Sequence, residues 1–79
     1  MATYKDKKIK PNERKVAMRL LDLRMERGLS QDALASKAGV DRKTVNRIEN
    51  DHFSPNLNTL IRLCRALKVQ PSQLLKGIK

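Results

Sequence analysis

Residues 28–50 read GLSQDALASKAGVDRKTVNRIEN, and the spacing within this stretch decides the fold. Ser30 carries a hydroxyl able to accept from an amide in the first turn of a helix, and Asp32 stands in that turn near the positive end of the helix dipole. Leu34, Ala35 and Ala38 recur on one side of the helix that follows. Gly39 then occupies the place where a turn needs a positive φ that a side chain resists. Val40 plugs the turn, Asp41 is placed to cap a further helix running to Asn50, and Val45 and Ile48 face inward at i, i+3. Arg42, Lys43, Asn46 and Arg47 are thereby left on its outer side.

Upstream, Pro11 and Asn12 mark a helix start, and Val16, Leu20, Leu23 and Arg27 recur at helical spacing until Gly28. The preceding text, MATYKDKKIKPN, holds Lys5, Lys7, Lys8 and Lys10 with almost no apolar periodicity. It reads as a flexible basic arm over 1–12, ahead of a domain over 13–79. Downstream, 51–56 forms a loop ended by Pro55, and Asn56 caps a fourth helix with Leu57, Leu60, Ile61, Cys64 and Leu67 as a continuous apolar face. Arg62, Arg65 and Lys68 make its solvated side. Val69 and Gln70 lead to a fifth helix, where Pro71 suits the first position and Leu74, Leu75 and Ile78 supply the apolar side. With no strand pattern, internal repeat or low-complexity linker, the fold class is all-α: five short helices on one core.

A chain of 79 residues has room for one compact domain, and a domain of this size buries only about 60% of its unfolded surface. The lone Cys64 excludes an internal disulfide and fits a reducing, cytoplasmic setting. No apolar run approaches the roughly 18 residues of a membrane span, and the N-terminal stretch lacks the apolar segment of a secretory signal. A formal net charge of +10 implies a polyanionic partner, with nucleic acid the first candidate, while charge alone also fits a membrane-surface peptide or a ribosome-associated protein. Tyr4 and Phe53 are the only aromatic residues, whereas binders of single strands need several faces for bases to stack on. Double-stranded DNA is therefore favoured over single strands, and structured RNA is the weaker alternative. Gly28, Gly39 and Gly77 form no phosphate-cradling loop, His52 has no metal-spaced companion, and no acid pair is set for catalysis, so no enzyme, metal or cofactor is expected.

The segment GLSQDALASKAGVDRKTVNRIEN, followed by SPNLNTLIRLCRALKV, resembles the Cro and repressor (XRE-type) helix-turn-helix family of phage and bacterial regulators, from about Val16 to Leu75. Gln31, Ala35, Gly39, Val45 and Ile48 stand in the spacing of that family. The resemblance implies a compact five-helix, lambda-repressor-like domain whose second helix crosses the DNA backbone and whose third lies in the major groove. Carried over by position, Arg42, Lys43 and Arg47 become base readers, with Thr44 and Asn46 beside them. Arg suits the O6 and N7 of guanine, and Asn the N6 and N7 of adenine. Gln31 becomes a phosphate donor at the start of the second helix, and Ser54, Asn56, Asn58 and Thr59 clamp a second stretch of backbone at the start of the fourth. Lys5, Lys7, Lys8 and Lys10 would reach along the DNA as an arm. Arg24 and Glu49 are paired as a largely buried salt bridge.

Asp51, where the family commonly has Gly, Cys64, where it usually has Ala, and Met18, Leu21 and Met25, on a face that is mostly polar in the family, depart from its pattern. An apolar stripe of that kind asks for a partner. The family function implied is a homodimer on a palindromic operator, acting as repressor or controller protein, with Leu74, Leu75 and Ile78 or the Met18/Leu21/Met25 stripe as the dimer seam. Contact of Asp32 or a neighbour with RNA polymerase would make it an activator. The alternative is a DNA-binding antitoxin whose stripe faces a toxin.

Overall fold

The computed structural model of the chain describes residues 11–50 and 54–77, without the side chains of Pro11 and Asn12. The arm lysines Lys5, Lys7, Lys8 and Lys10, the departure at Asp51, the loop residue His52 and the apolar Ile78 lie outside these residues. Five helices follow one another without a strand among the described residues: α1 (Pro11–Glu26), α2 (Gln31–Ala38), α3 (Arg42–Glu49), α4 (Leu57–Leu67) and α5 (Pro71–Leu75). The first helix thus begins inside the segment read as arm.

Each helix starts and stops for a local reason. Ser30 lies in extended conformation and its Oγ accepts from the Ala33 amide at 3.0 Å. Gly39, at φ 73° and ψ 34°, turns the chain out of α2 while its own amide and that of Val40 satisfy carbonyls of the last turn. Asn56 Oδ1 accepts from the Thr59 amide at 2.8 Å. Asp41 departs from expectation. It occupies the capping position in extended conformation, yet its side chain makes no cap bond. The amides of Thr44 and Val45 turn instead to its carbonyl oxygen, at 3.0 and 3.4 Å, so the donor that its carboxylate would have met is already satisfied.

The core is a single cluster of Ala17, Leu20, Leu34, Ala35, Ala38, Val45, Ile48, Leu63, Cys64, Leu67 and Leu74. Ala35 and Ala38 are small enough to let α2 sit close to its neighbours α3 and α4. The apolar face of α4 differs from the continuous one read in the sequence. Leu63, Cys64 and Leu67 are buried, but Leu57 is 72% exposed. Leu57 points along nearly the same direction as Cys64, two turns away, but lies in the first turn of the helix, where it is exposed. Leu74 is fully buried, leaving Leu75 as the exposed leucine of α5.

Long basic side chains tie the helices at their carbonyl ends. Arg19 donates through Nη1 to the carbonyls of Leu74 and Lys76, at 2.6 and 2.7 Å, fastening α5 to α1. Arg27, grouped in the sequence with the apolar stripe of the first helix, lies beyond α1 and donates through Nε to the Leu67 carbonyl at 2.6 Å. Carbonyls of a last turn have no partner within their helix, so a cation there satisfies an oxygen and meets the negative end of the dipole at once.

Candidate DNA interface

The alternation of apolar and polar residues along α3 gives it two unlike sides. Val45 and Ile48 are 2% and 1% exposed and fix the inner side on the core. Arg42, Lys43, Asn46 and Arg47 are exposed on the outer side, with Thr44 half-buried between the two. Of these cations only Arg42 has a charged neighbour among the described residues: its Nε lies 3.4 Å from Oδ1 of Asp32 on α2. Both side chains are well exposed, so water screens the pair and it holds Arg42 weakly.

The far end of α3 is held by a polar network. Arg24 of α1 donates through Nε to Glu49 Oε2 at 2.6 Å and through Nη2 to Glu49 Oε1 at 3.1 Å. Its Nη1 donates to the Leu29 carbonyl at 2.7 Å, which ties the turn before α2 into the same cluster. Gln31 adds a link that the sequence reading did not contain. Its Nε2 donates to Glu49 Oε1 at 2.9 Å, and its Oε1 accepts from Asn46 Nδ2 at 3.3 Å. The only sequence signal for that link is the spacing of Asn46 and Glu49 at i, i+3, which puts both on one flank of α3.

The helix starts complete the geometry. At α2 the Ala33 amide is taken by Ser30, leaving the backbone amides of Gln31 and Asp32 pointing out of the first turn. At α4, Ser54, Asn56 and Asn58 are exposed and Thr59 is half-buried. The Thr59 amide and the Asn56 oxygen bond each other, so Thr59 offers its hydroxyl and Asn56 its NH2 group. Between α2 and α4 runs a shallow groove of about 400 Å³ lined by Lys37, Ala38, Asn58, Ile61, Arg62 and Arg65. It presents cations and one amide, with no nucleophile and base in pair. Among the described residues no group of three His, Cys, Asp or Glu side chains is placed to hold a metal.

A family model described as helix-turn-helix matches residues 20–74. The chain belongs to the Cro and repressor helix-turn-helix family. This family member is 39% identical over 59 residues to an immunity repressor protein of Bacillus phage phi105, an alignment covering 75% of this chain and 41% of the repressor. The chain therefore spans less than half the length of that relative. Its fold is similar to the restriction-modification controller protein C.AhdI of Aeromonas hydrophila, at 34% identity and a TM-score of 0.78, covering 82% of this chain and 98% of the other. It is also similar to the P22 c2 repressor in complex with a synthetic operator, at 31% identity and a TM-score of 0.71, covering 78% and 94%. The family binds double-stranded DNA, and α2 and α3 are the helix-turn-helix of this member. Among the described residues no helix is long and apolar enough to cross a membrane.

Proposed function

We propose that this helix-turn-helix domain binds a palindromic operator as a homodimer, sequence-specifically, and regulates transcription by occupying it, as repressor or controller protein. The supporting observation is the two-sidedness of α3: four exposed side chains able to read bases, Arg42, Lys43, Asn46 and Arg47, on a helix whose inner side is anchored at Val45 and Ile48. Each Arg set against guanine, or Asn against adenine, adds about 1–3 kcal/mol of discrimination. Thr44 stands beside them.

Phosphates are met at the start of α2, by Gln31 and the outward amides of its first turn, and at the start of α4, by Ser54, Asn56, Asn58 and Thr59. Lys5, Lys7, Lys8 and Lys10 add backbone contacts from the arm. The homodimer seam is either the α1 stripe, where Met18 and Met25 are 57% and 64% exposed and Leu21 is half-buried, or α5, where Leu75 is 45% exposed and the fully buried Leu74 drops out. Such a regulator acts in the cytoplasm, on DNA rather than as an enzyme.

Selection of bound sequences from random duplex DNA tests this reading. A two-fold symmetric site with half-sites about 34 Å apart is expected. Recovery of no enriched motif, or of an asymmetric one bound by a monomer, overturns it.

The exposure of Met18 and Met25 also supports a second reading, an antitoxin that binds DNA while α1 covers a toxin. Co-purification with a small neighbouring protein supports that reading, and a monodisperse homodimer with tight operator binding counts against it. An activator would touch RNA polymerase near Asp32, whose side chain is 77% exposed.

A further inference from the structure

The hydrogen bonds that link Arg24 and Asn46 converge on Glu49: Arg24 donates to it from one side, and from the other Asn46 donates to Gln31 and Gln31 to Glu49. Arg24 has donors only, and an ionised Glu49 has acceptors only. Both Glu49 oxygens are engaged by the guanidinium, and Oε1 accepts a further bond from Gln31 Nε2. That contact orients the Gln31 carboxamide: its nitrogen faces Glu49, so its oxygen faces α3. An oxygen can only accept, and Asn46 accordingly turns its Nδ2 toward it. One of the two Asn46 N–H groups is engaged, which leaves one N–H and the Oδ1 oxygen for another partner.

We infer that Gln31 is a positioning residue for specificity, passing the polarity of the buried Arg24–Glu49 pair to Asn46 so that Asn46 selects adenine over guanine. This rests on the reading of Asn46 as a base-contacting residue. In the major groove adenine presents an acceptor at N7 and a donor at N6, the complement of one N–H and one oxygen. Guanine presents two acceptors, N7 and O6, and needs two donors. A freely rotating Asn could turn both N–H groups outward, whereas this one cannot without breaking its bond to Gln31.

The chain also has a reversible direction. With Glu49→Gln, a carboxamide that keeps its oxygen on the shorter contact, to Arg24 Nε, gives up the bond from Arg24 Nη2 and turns its NH2 toward Gln31. Gln31 must then accept from it, present its own NH2 to α3, and bond the Asn46 oxygen. Asn46 is left with N–H groups outward, the pattern that guanine accepts. Adding Gln31→Glu to Glu49→Gln places an acceptor-only group between two amides and restores the first orientation.

The test is the binding of wild type, Asn46→Ala, Gln31→Met, Glu49→Gln and the Gln31→Glu/Glu49→Gln double variant to duplexes carrying each base in turn at every operator position. Wild type should favour adenine at one position by about 5- to 150-fold, and Asn46→Ala should abolish that preference. Gln31→Met should lower it at the same position by about fivefold or more. Glu49→Gln should shift it toward guanine, and the double variant should return it to adenine. If Asn46→Ala alters no position, the base-reading assignment of Asn46 is wrong. If Asn46→Ala relaxes one position while Gln31→Met leaves the preference there intact, Asn46 reads the base but Gln31 does not orient it. Gln31→Met leaves the Arg24–Glu49 pair in place, so it remains decisive should Glu49→Gln fail to fold.

Discussion

Arg24 and Glu49 meet through two hydrogen bonds, at 2.6 and 3.1 Å, with side chains only 14% and 7% exposed. The pair joins α1 to the last residue of α3, so the angle of the exposed helix is set by a charged contact as well as by Val45 and Ile48. Removing one partner leaves the other charge desolvated. Arg24→Met should therefore destabilise the domain by about 3 kcal/mol or more, read from denaturant unfolding. Replacing both partners by apolar residues should cost much less. Equal losses for the single and double replacements would mean that packing, not charge, makes the contact matter.

Gly39 and Lys68 both adopt the left-handed conformation, at φ 73° and 59°, and end α2 and α4. A side chain costs roughly 1–2 kcal/mol in this conformation. Gly39→Ala should lose about that much, and Gly39→Val more, because the β-branched side chain is stiffer. The Cβ itself adds little, since its nearest contact is the flexible end of Arg62 at 3.0 Å. Lys68→Gly should move the melting temperature in the opposite direction, with a gain of about 0.5–1 kcal/mol.

The sequence pattern puts Leu57 on the apolar face of α4 and leaves Leu63 off it, whereas in the structure Leu57 is 72% exposed and Leu63 2%. Leu63→Ala should cost about 2–5 kcal/mol, while Leu57→Ser should stay within about 0.5 kcal/mol. Chemical denaturation of the two variants checks the contrast.

The Cys64 thiol is 2% exposed, and burial raises its pKa above the ordinary 9.0. The folded state thus keeps a proton that the unfolded chain gives up near pH 9.0. The thiol's contribution to stability is whole below that pH and declines as pH rises through it. Relative to Cys64→Ala, wild type should lose stability from about pH 9 upward. Thiol reagents should label Cys64 only as fast as the domain unfolds.

Much of the fold could be read in the sequence because local chemistry and packing agree at the helix-turn-helix. Ser30, Gly39 and Asn56 each act through a neighbour a few residues away, and the inward side of α3 follows from two β-branched residues at i, i+3. The exceptions depend on contacts distant in the chain or on an end effect. Neither Arg19 nor Arg27, the latter grouped by its spacing with the apolar stripe, shows its role until the carbonyls of Leu74 and Leu67 stand beside them. The exposure of Leu57, in the first turn of α4, is not written in the periodicity that places it in line with Cys64. Gln31 could be assigned a phosphate by resemblance, but its bonds to Glu49 and Asn46 require the three-dimensional placement of α2 against α3.

If the outer side of α3 reads base sequence, Arg47, exposed on that side, carries part of the discrimination. The measurement is the ratio of operator affinity to nonspecific duplex affinity at one fixed salt concentration, for wild type and Arg47→Ala. Operator binding should weaken by about 1–3 kcal/mol beyond any loss on nonspecific DNA. Equal losses on both DNAs would assign Arg47 to the phosphate backbone and contradict the account.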